Sequence, residues 1–418
     1  MVQWKPLTKT IKGVFMNNSI KKIIITIAMS SAFPGILFAE DTVKIGALHD
    51  LTGSFNIYGI QQSEALKLAV KKVNEEGGVN GAQVEVVEYD TQSDDARYTQ
   101  YANTLIMRDQ VAAMFGGLAS SSREAVRPVA NQSKTLYFYS AVYEGGVCDK
   151  YTFLTGVTPS QQLGVMLEWA KEKYGNKVYV VAPDYNFGTI TAHWVNEYAQ
   201  DYGLEVVGED FLPVSQSNFS STLQQIQTSE PDFVVALPVG SRQTSFYEQF
   251  AAAGLEDRIG VISTNYGSGN QQVVVSKEAG EGIVASQNYF QVVDTAMNSE
   301  FINMWESEYG EITDPIISEA NDTWNAVMLW AEAANRAKSS ESDAVVKELL
   351  KGVELDSPEG KIKSLSSNHL MHQVYLVEGD RNHSFNVIAQ YENVIPQYEQ
   401  SVCNLLENPD ISMQFIPE

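Results

Sequence analysis

Rings, small hydroxyls and glycines stand together in Tyr139-Ser140-Ala141-Val142-Tyr143-Glu144-Gly145-Gly146, between two runs that read as strands, 135–139 and 151–157. Aromatic faces stack on planar groups, while hydroxyls and backbone groups satisfy donors and acceptors. That is equipment for recognition. It recurs at 50–58, at Ser120-Ser121-Ser122, at Asp184-Tyr185, at Val239-Gly240-Ser241 and at Thr264-Asn265-Tyr266. A small, neutral, planar ligand would suit a cleft lined this way. The same residues also suit plainer roles: the serines a helix start, Tyr139 a core and Tyr185 a turn.

Reaction chemistry leaves no comparable mark. The sequence contains no Gly-x-Ser-x-Gly, no His-Glu-x-x-His and no phosphate loop. Of the five histidines, only His369 and His372 are close, and no cysteine or carboxylate motif accompanies them. The acids form no spaced pair marked for acid–base work. The expectation is a protein with no catalytic residue, no metal and no cofactor.

The elements that position these groups follow an alternating pattern. Strands are expected at 43–48, 84–89 and 111–115, with helices at 62–75 and 96–109 and a third, led into by 116–122, running through 129. After 163–174, a helix, the alternation resumes with strands at 177–182, 204–211, 233–237 and 260–263 and helices at 190–202, 219–227 and 243–253. Such alternation implies parallel sheets with helices on both faces. In open sheets of that kind ligands bind at the carboxyl ends of the strands, where the loops above lie. Beyond 282–289 come three successive helices, 300–309, 319–337 and 342–352, then short strands at 360–363, 373–377 and 385–390. The helices are expected to return to the first sheet. The chain would then cross between halves near 153–158, 285–289 and 365–375.

The first 39 residues hold five lysines and no acid, and an apolar run at 23–38 ends in Leu37-Phe38-Ala39. This reads as a secretory signal cut near Ala39, with Met16 an alternative start. Without those lysines the balance is 23 basic against 52 acidic residues, or −29, which disfavours nucleic acid as a partner. The remaining 379 residues exceed what a single core usually holds, about 250–300. Cys148 and Cys403 either bridge, as an oxidising compartment permits, or stay as two buried thiols; the bridge is expected, tying the tail to the segment 139–146.

From Glu40 onward the chain resembles the type I periplasmic solute-binding proteins of the Leu/Ile/Val-binding class. The resemblance is carried by Ile45-Gly46-Ala47-Leu48 with Leu51-Thr52-Gly53, and by Gly77-Gly78-Val79-Asn80-Gly81. Within the class, Tyr143-Glu144-Gly145, Gly156, Pro159-Ser160-Gln161-Gln162 and Asn368-His369 are most similar to the urea and short-chain amide receptors. It implies an α/β fold of two doubly wound parallel-sheet lobes joined by a three-strand hinge, with lobe I at 40–158 plus 286–370 and lobe II, with the tail, at 159–285 plus 371–418. It implies a periplasmic subunit of an ABC importer, binding a small neutral or zwitterionic solute and docking on permease subunits in the inner membrane. The solute would be urea or a short-chain amide, or alternatively a branched-chain or other amino acid. Ligand contacts are expected from Ser120, Ser121, Tyr139, Ser140, Ala141, Tyr143, Tyr185, Gly240 and Thr264. Glu319 matches a position that is commonly acidic near the hinge and is expected to serve structure or closure. The chain departs from the amide receptors at Ala141, where a threonine between prolines is the pattern; Ser140 stands one position away.

Overall fold

The computed structural model describes residues 42–417; the expected signal peptide lies outside the described residues. The chain opens with β1 (Thr42–His49), α1 (Asn56–Glu75), β2 (Gln83–Asp90), α2 (Asp95–Met107), β3 (Ala113–Gly116), α3 (Ser120–Ser133) and β4 (Leu136–Tyr139), then the short strands β5 (Val147–Asp149) and β6 (Thr152–Leu154). A parallel sheet runs β2-β1-β3-β4-β6. Its inner strands β3 and β4 are buried at every residue, while the edge strand β2 is mostly half-exposed. Continuous apolar runs are what a parallel sheet covered on both faces requires.

A second unit of the same construction follows: α4 (Pro159–Lys173), β7 (Lys177–Pro183), α5 (Asn186–Tyr202), β8 (Glu205–Leu212), α6 (Ser220–Ser229), β9 (Phe233–Ala236), α7 (Ser241–Ala252), β10 (Gly260–Ser263), the single-turn helices α8 (Gln271–Val274) and α9 (Lys277–Gly280), and β11 (Val284–Gln287). Strands β8-β7-β9-β10-β11 are parallel neighbours.

The chain then enters α10 (Ala296–Tyr309), α11 (Ser318–Ala337) and α12 (Ser342–Gly352). Helix α11 packs along α1 and against β3, so these helices return to the first sheet. Trp324 and Trp330 on α11 are almost wholly buried, and Trp330 meets Phe115 of β3 edge-on at 6.1 Å. Each such side chain contributes on the order of 2–3 kcal/mol by leaving water.

The remaining elements are β12 (Glu354–Ser357), β13 (Gly360–Ser364), β14 (Leu370–Gly379), β15 (Phe385–Val394), α13 (Gln397–Val402) and β16 (Ser412–Gln414). Strand β14 pairs antiparallel with β11, β13 and β15, so the second sheet is parallel in one part and antiparallel in the rest. The chain passes from one sheet's elements to the other's at 155–158 and 288–295. The β12–β13 hairpin makes the third passage, packing on α11 and α12 while β13 pairs with β14.

The tail crosses back. Strand β16 pairs antiparallel with β5, and Cys148 is bridged to Cys403 with 5.5 Å between their Cα atoms. Gly146 makes this approach possible. Its φ is +80°, and a Cβ there would lie 1.8 Å from the Phe415 carbonyl oxygen. No helix among the described residues is long and apolar enough to cross a membrane.

Candidate functional site

Two carboxylates fix the loop after β1. Asp90 accepts from the Leu51 and Thr52 amides and the Thr52 hydroxyl, and Asp50 accepts from the Thr91 hydroxyl at 2.6 Å and the Ser93 amide at 2.7 Å. Gly59 lets α1 begin against this loop, since a Cβ there would sit 2.3 Å from the Asp50 carbonyl. The loop ends in Phe55, the cap of α1, and Tyr58 follows in the first turn of that helix. The Tyr58 hydroxyl accepts from the Gly240 amide at 3.0 Å and from Gln271 Nε2 at 3.4 Å, both on the second-sheet side.

Helix α3 starts behind Ala119, whose extended backbone serves as the cap without a side-chain bond. Ser120 is therefore free for another partner. Its hydroxyl donates to Glu144 Oε2 at 2.5 Å. Glu144 Oε1 accepts from Arg123 Nη2 at 2.6 Å and from Gln414 Nε2 at 2.7 Å. Both side chains of the Arg123–Glu144 pair are fully buried. Burial pushes the Glu144 carboxyl up, but the Arg123 charge and the hydrogen bonds outweigh it and hold the pKa below the usual range. Arg123 also lies over the rings of Tyr139 and Tyr143, 5.3 and 4.9 Å from their centroids.

The tyrosines are thus part of the support. Tyr139 is buried, and its hydroxyl donates to the Leu118 carbonyl. Tyr143 bonds to His369 Nε2. The other nitrogen of that ring, Nδ1, lies 2.8 Å from the Ser367 carbonyl and so carries the proton, which makes Tyr143 the donor. Burial pushes the His369 pKa down to about 3, so the ring is neutral. His372 is likewise buried, on β14 against Glu359. Ser140 is buried too, accepting from the Thr155 hydroxyl at 3.2 Å.

From the second-sheet side come Tyr185, in extended backbone at the cap of α5, then Phe187, Val239, Asn265 and Ser268. Asn265 is locked: its carbonyl accepts from Gln243 and Ser263, and its amide donates to Pro238 O. Ser268 donates to Glu319 Oε1, and Ser318 donates to Glu319 Oε2 at 3.1 Å. Burial pushes the Glu319 pKa up to about 7.

These groups line one cleft with a cavity volume of about 30 Å³. Phe55, Tyr58, Leu118, Ala119, Ser120, Ala141, Val142 and Glu319 line it from the first-sheet side, facing the five residues just named. The strand-end loops of the two sheets do face each other. Of the expected contacts, the structure brings Ser120, Ala141 and Tyr185 to the cleft, and Glu319 with them. Tyr139, Ser140 and Tyr143 lie behind it. Ser121 turns away to Asp95, at 3.1 Å. Gly240 joins the walls through Tyr58, and Thr264 is buried, its carbonyl accepting from Gln162. Phe55, Tyr58, Val239 and Asn265 lie in loops marked from sequence, but only the fold shows which residue points inward. Among the described residues, no group of three or more His, Cys, Asp or Glu is placed to hold a metal ion.

Comparison with known proteins agrees with this architecture. Residues 42–384 match the family model described as periplasmic binding protein. A Leu/Ile/Val-binding protein homolog of Brucella suis is 22% identical over 360 residues, covering 81% of this chain and 88% of its own. A solute-binding protein of an ABC transporter from Rhodopseudomonas palustris, solved with 3,4-dihydroxybenzoic acid, superposes with a TM-score of 0.76 at 24% identity, covering 86% of this chain and 100% of its own. The branched-chain amino acid transporter substrate-binding protein of Streptococcus pneumoniae, solved with isoleucine, gives 0.73 at 20% identity, over 84% and 99%. The family and the fold are those of solute-binding proteins rather than enzymes. The chain belongs to the periplasmic binding protein family, as a type I member of the Leu/Ile/Val-binding class.

Proposed function

We propose that this chain is the solute-capturing subunit of an ABC importer and takes a small neutral solute, a short-chain amide or urea, into the cleft between its sheets. The observation that carries the reading is the lining: aromatic and apolar surface, a few hydroxyls and one carboxyl, with no lysine, arginine or histidine. An anionic solute would find no positive side chain there to offset the loss of its water. A planar amide finds rings to lie against and polar groups at their margin. Capture works by closure of the first-sheet elements, with β5 and the tail strand β16 paired to it, on the second-sheet elements. The solute favours the closed form to the extent that only that form touches it from both sides. The closed form then docks on permease subunits in the inner membrane.

A second reading, an apolar amino acid, is favoured by Glu319, a carboxyl within the cleft that can meet an ammonium. The names of the relatives point the same way. Calorimetric titration with acetamide, urea, L-leucine and 4-hydroxybenzoate separates these readings. Saturable heat with acetamide or urea is expected. Leucine alone would select the second reading, and 4-hydroxybenzoate alone would refute both.

A further inference from the structure

We infer that Glu144, which lies behind the cleft, decides the direction of the hydrogen bond that Ser120 offers a solute, and so restricts the site to solutes that bring an N–H donor to Ser120. The inference deepens the proposed function and rests on it.

A serine hydroxyl has one proton and two lone pairs. An ionised carboxylate can only accept. Glu144 Oε2 stands 2.5 Å from Ser120 Oγ, so the single proton of Ser120 is spent on Glu144. The carboxylate is kept ionised by its surroundings: Arg123 Nη2 lies 2.6 Å from Oε1, Gln414 Nε2 lies 2.7 Å from it, and all of the Arg123–Glu144 pair is shut away from water. The orientation of Gln414 is fixed as well. Its Nε2 faces Glu144 and the Gly145 carbonyl, and its Oε1 faces Arg123 Nη2 at 3.4 Å. No group in this network can return a proton to Ser120. Toward the cleft Ser120 therefore shows lone pairs, made more negative by the carboxylate behind them.

An amide N–H or an ammonium meets an acceptor there. An ester oxygen or a carboxylate meets lone pair against lone pair, with a buried negative charge behind. Glu144 is thus a positioning residue, and the C-terminal tail takes part in selectivity through Gln414.

The test uses matched pairs that differ by the N–H group: acetamide against methyl acetate, and L-leucine against 4-methylpentanoate, by calorimetry on the processed protein. In each pair whose first member binds, the partner is expected to bind at least about tenfold more weakly. Ser120→Ala removes the acceptor and the donor to Glu144 Oε2 while Arg123 and Gln414 stay on Oε1, and should shrink that ratio toward one by weakening the N–H ligand alone. Glu144→Gln can donate to Ser120 and turn its proton toward the cleft, which should lower the ratio further where the variant folds. Equal binding of both members to the unmodified protein, or an unchanged ratio in Ser120→Ala, overturns the inference and leaves the proposed cleft standing. Failure of all four compounds, and of urea, to bind overturns the proposed function and this inference together.

Discussion

On the first-sheet side of the cleft, Ser120 stands on Glu144, Glu144 on Arg123 and Gln414, and Arg123 on the rings of Tyr139 and Tyr143. On the second-sheet side, Tyr185, Phe187 and Val239 supply rings and apolar surface, and the amide of Asn265 is spent on the neighbouring loop after β9 and on α7. One wall is a buried polar network that can keep a hydrogen-bonding direction in the absence of solute. The other is mostly shape. In a protein proposed to close on its ligand, this division places selectivity in a preorganised wall and leaves the opposing wall to exclude water and add contact area.

Arg123→Met is the severest way to break the comparison. It leaves Glu144 buried without its counter-charge, a change that costs about 3–5 kcal/mol in buried pairs. Urea unfolding should show that loss, whereas Tyr185→Ala on the other wall should leave the unfolding midpoint nearly unchanged and weaken ligand binding instead. Equal destabilisation by the two would erase the distinction between the walls. The Cys148–Cys403 bridge is next. It closes a loop of sequence separation 255 and anchors the tail that carries Gln414. Replacing both cysteines by serine should cost about 2–4 kcal/mol, read by thermal unfolding, and should also reduce the acetamide-to-ester preference.

The carboxyl on the first-sheet side gives a pH test. With the Glu319 pKa pushed up to about 7 from 4.5 by burial, the folded protein holds that proton where the unfolded chain has lost it. Its contribution to stability is therefore complete below about pH 4.5 and is lost as pH rises through about 7. Glu319→Gln should remove that slope from the wild-type stability curve. The same titration divides the two ligand readings. An ammonium ligand gains as Glu319 ionises, by about tenfold between pH 6 and 8, while a neutral amide shows no such gain. A slope that persists in Glu319→Gln would assign the titration elsewhere.

Much of this architecture was legible because parallel strands covered on both faces must be continuous apolar runs, as in 233–236 and 260–263. Side-chain direction was less so. Tyr139 was expected at the cleft for its ring and its strand-end position, yet strand residues two apart share a face. Tyr137 and Tyr139 accordingly both turn to the same buried cluster beneath α2 and α3. The Arg123–Glu144 pair needs α3 to fold back over the loop after β4, and Gln414 reaches it from 270 positions away. No local pattern marks either. Strands β5 and β16 have three residues each, too short for a period to show.

The mildest test acts on the contact that joins the walls. The Tyr58 hydroxyl accepts from the Gly240 amide at 3.0 Å, linking the first turn of α1 to the cap of α7. Tyr58→Phe keeps the ring against the cleft and deletes this acceptor, leaving the Gly240 N–H unpaired where the walls meet. A single neutral hydrogen bond contributes about 0.5–1.5 kcal/mol. If the bond exists only in the closed form, that amount is lost from closure, and affinity should fall by roughly two- to tenfold with the unfolding midpoint of the ligand-free protein unchanged. If it holds the sheets together at all times, the midpoint falls as well and affinity moves little. The two outcomes separate a wall that moves onto the solute from one that is already in place.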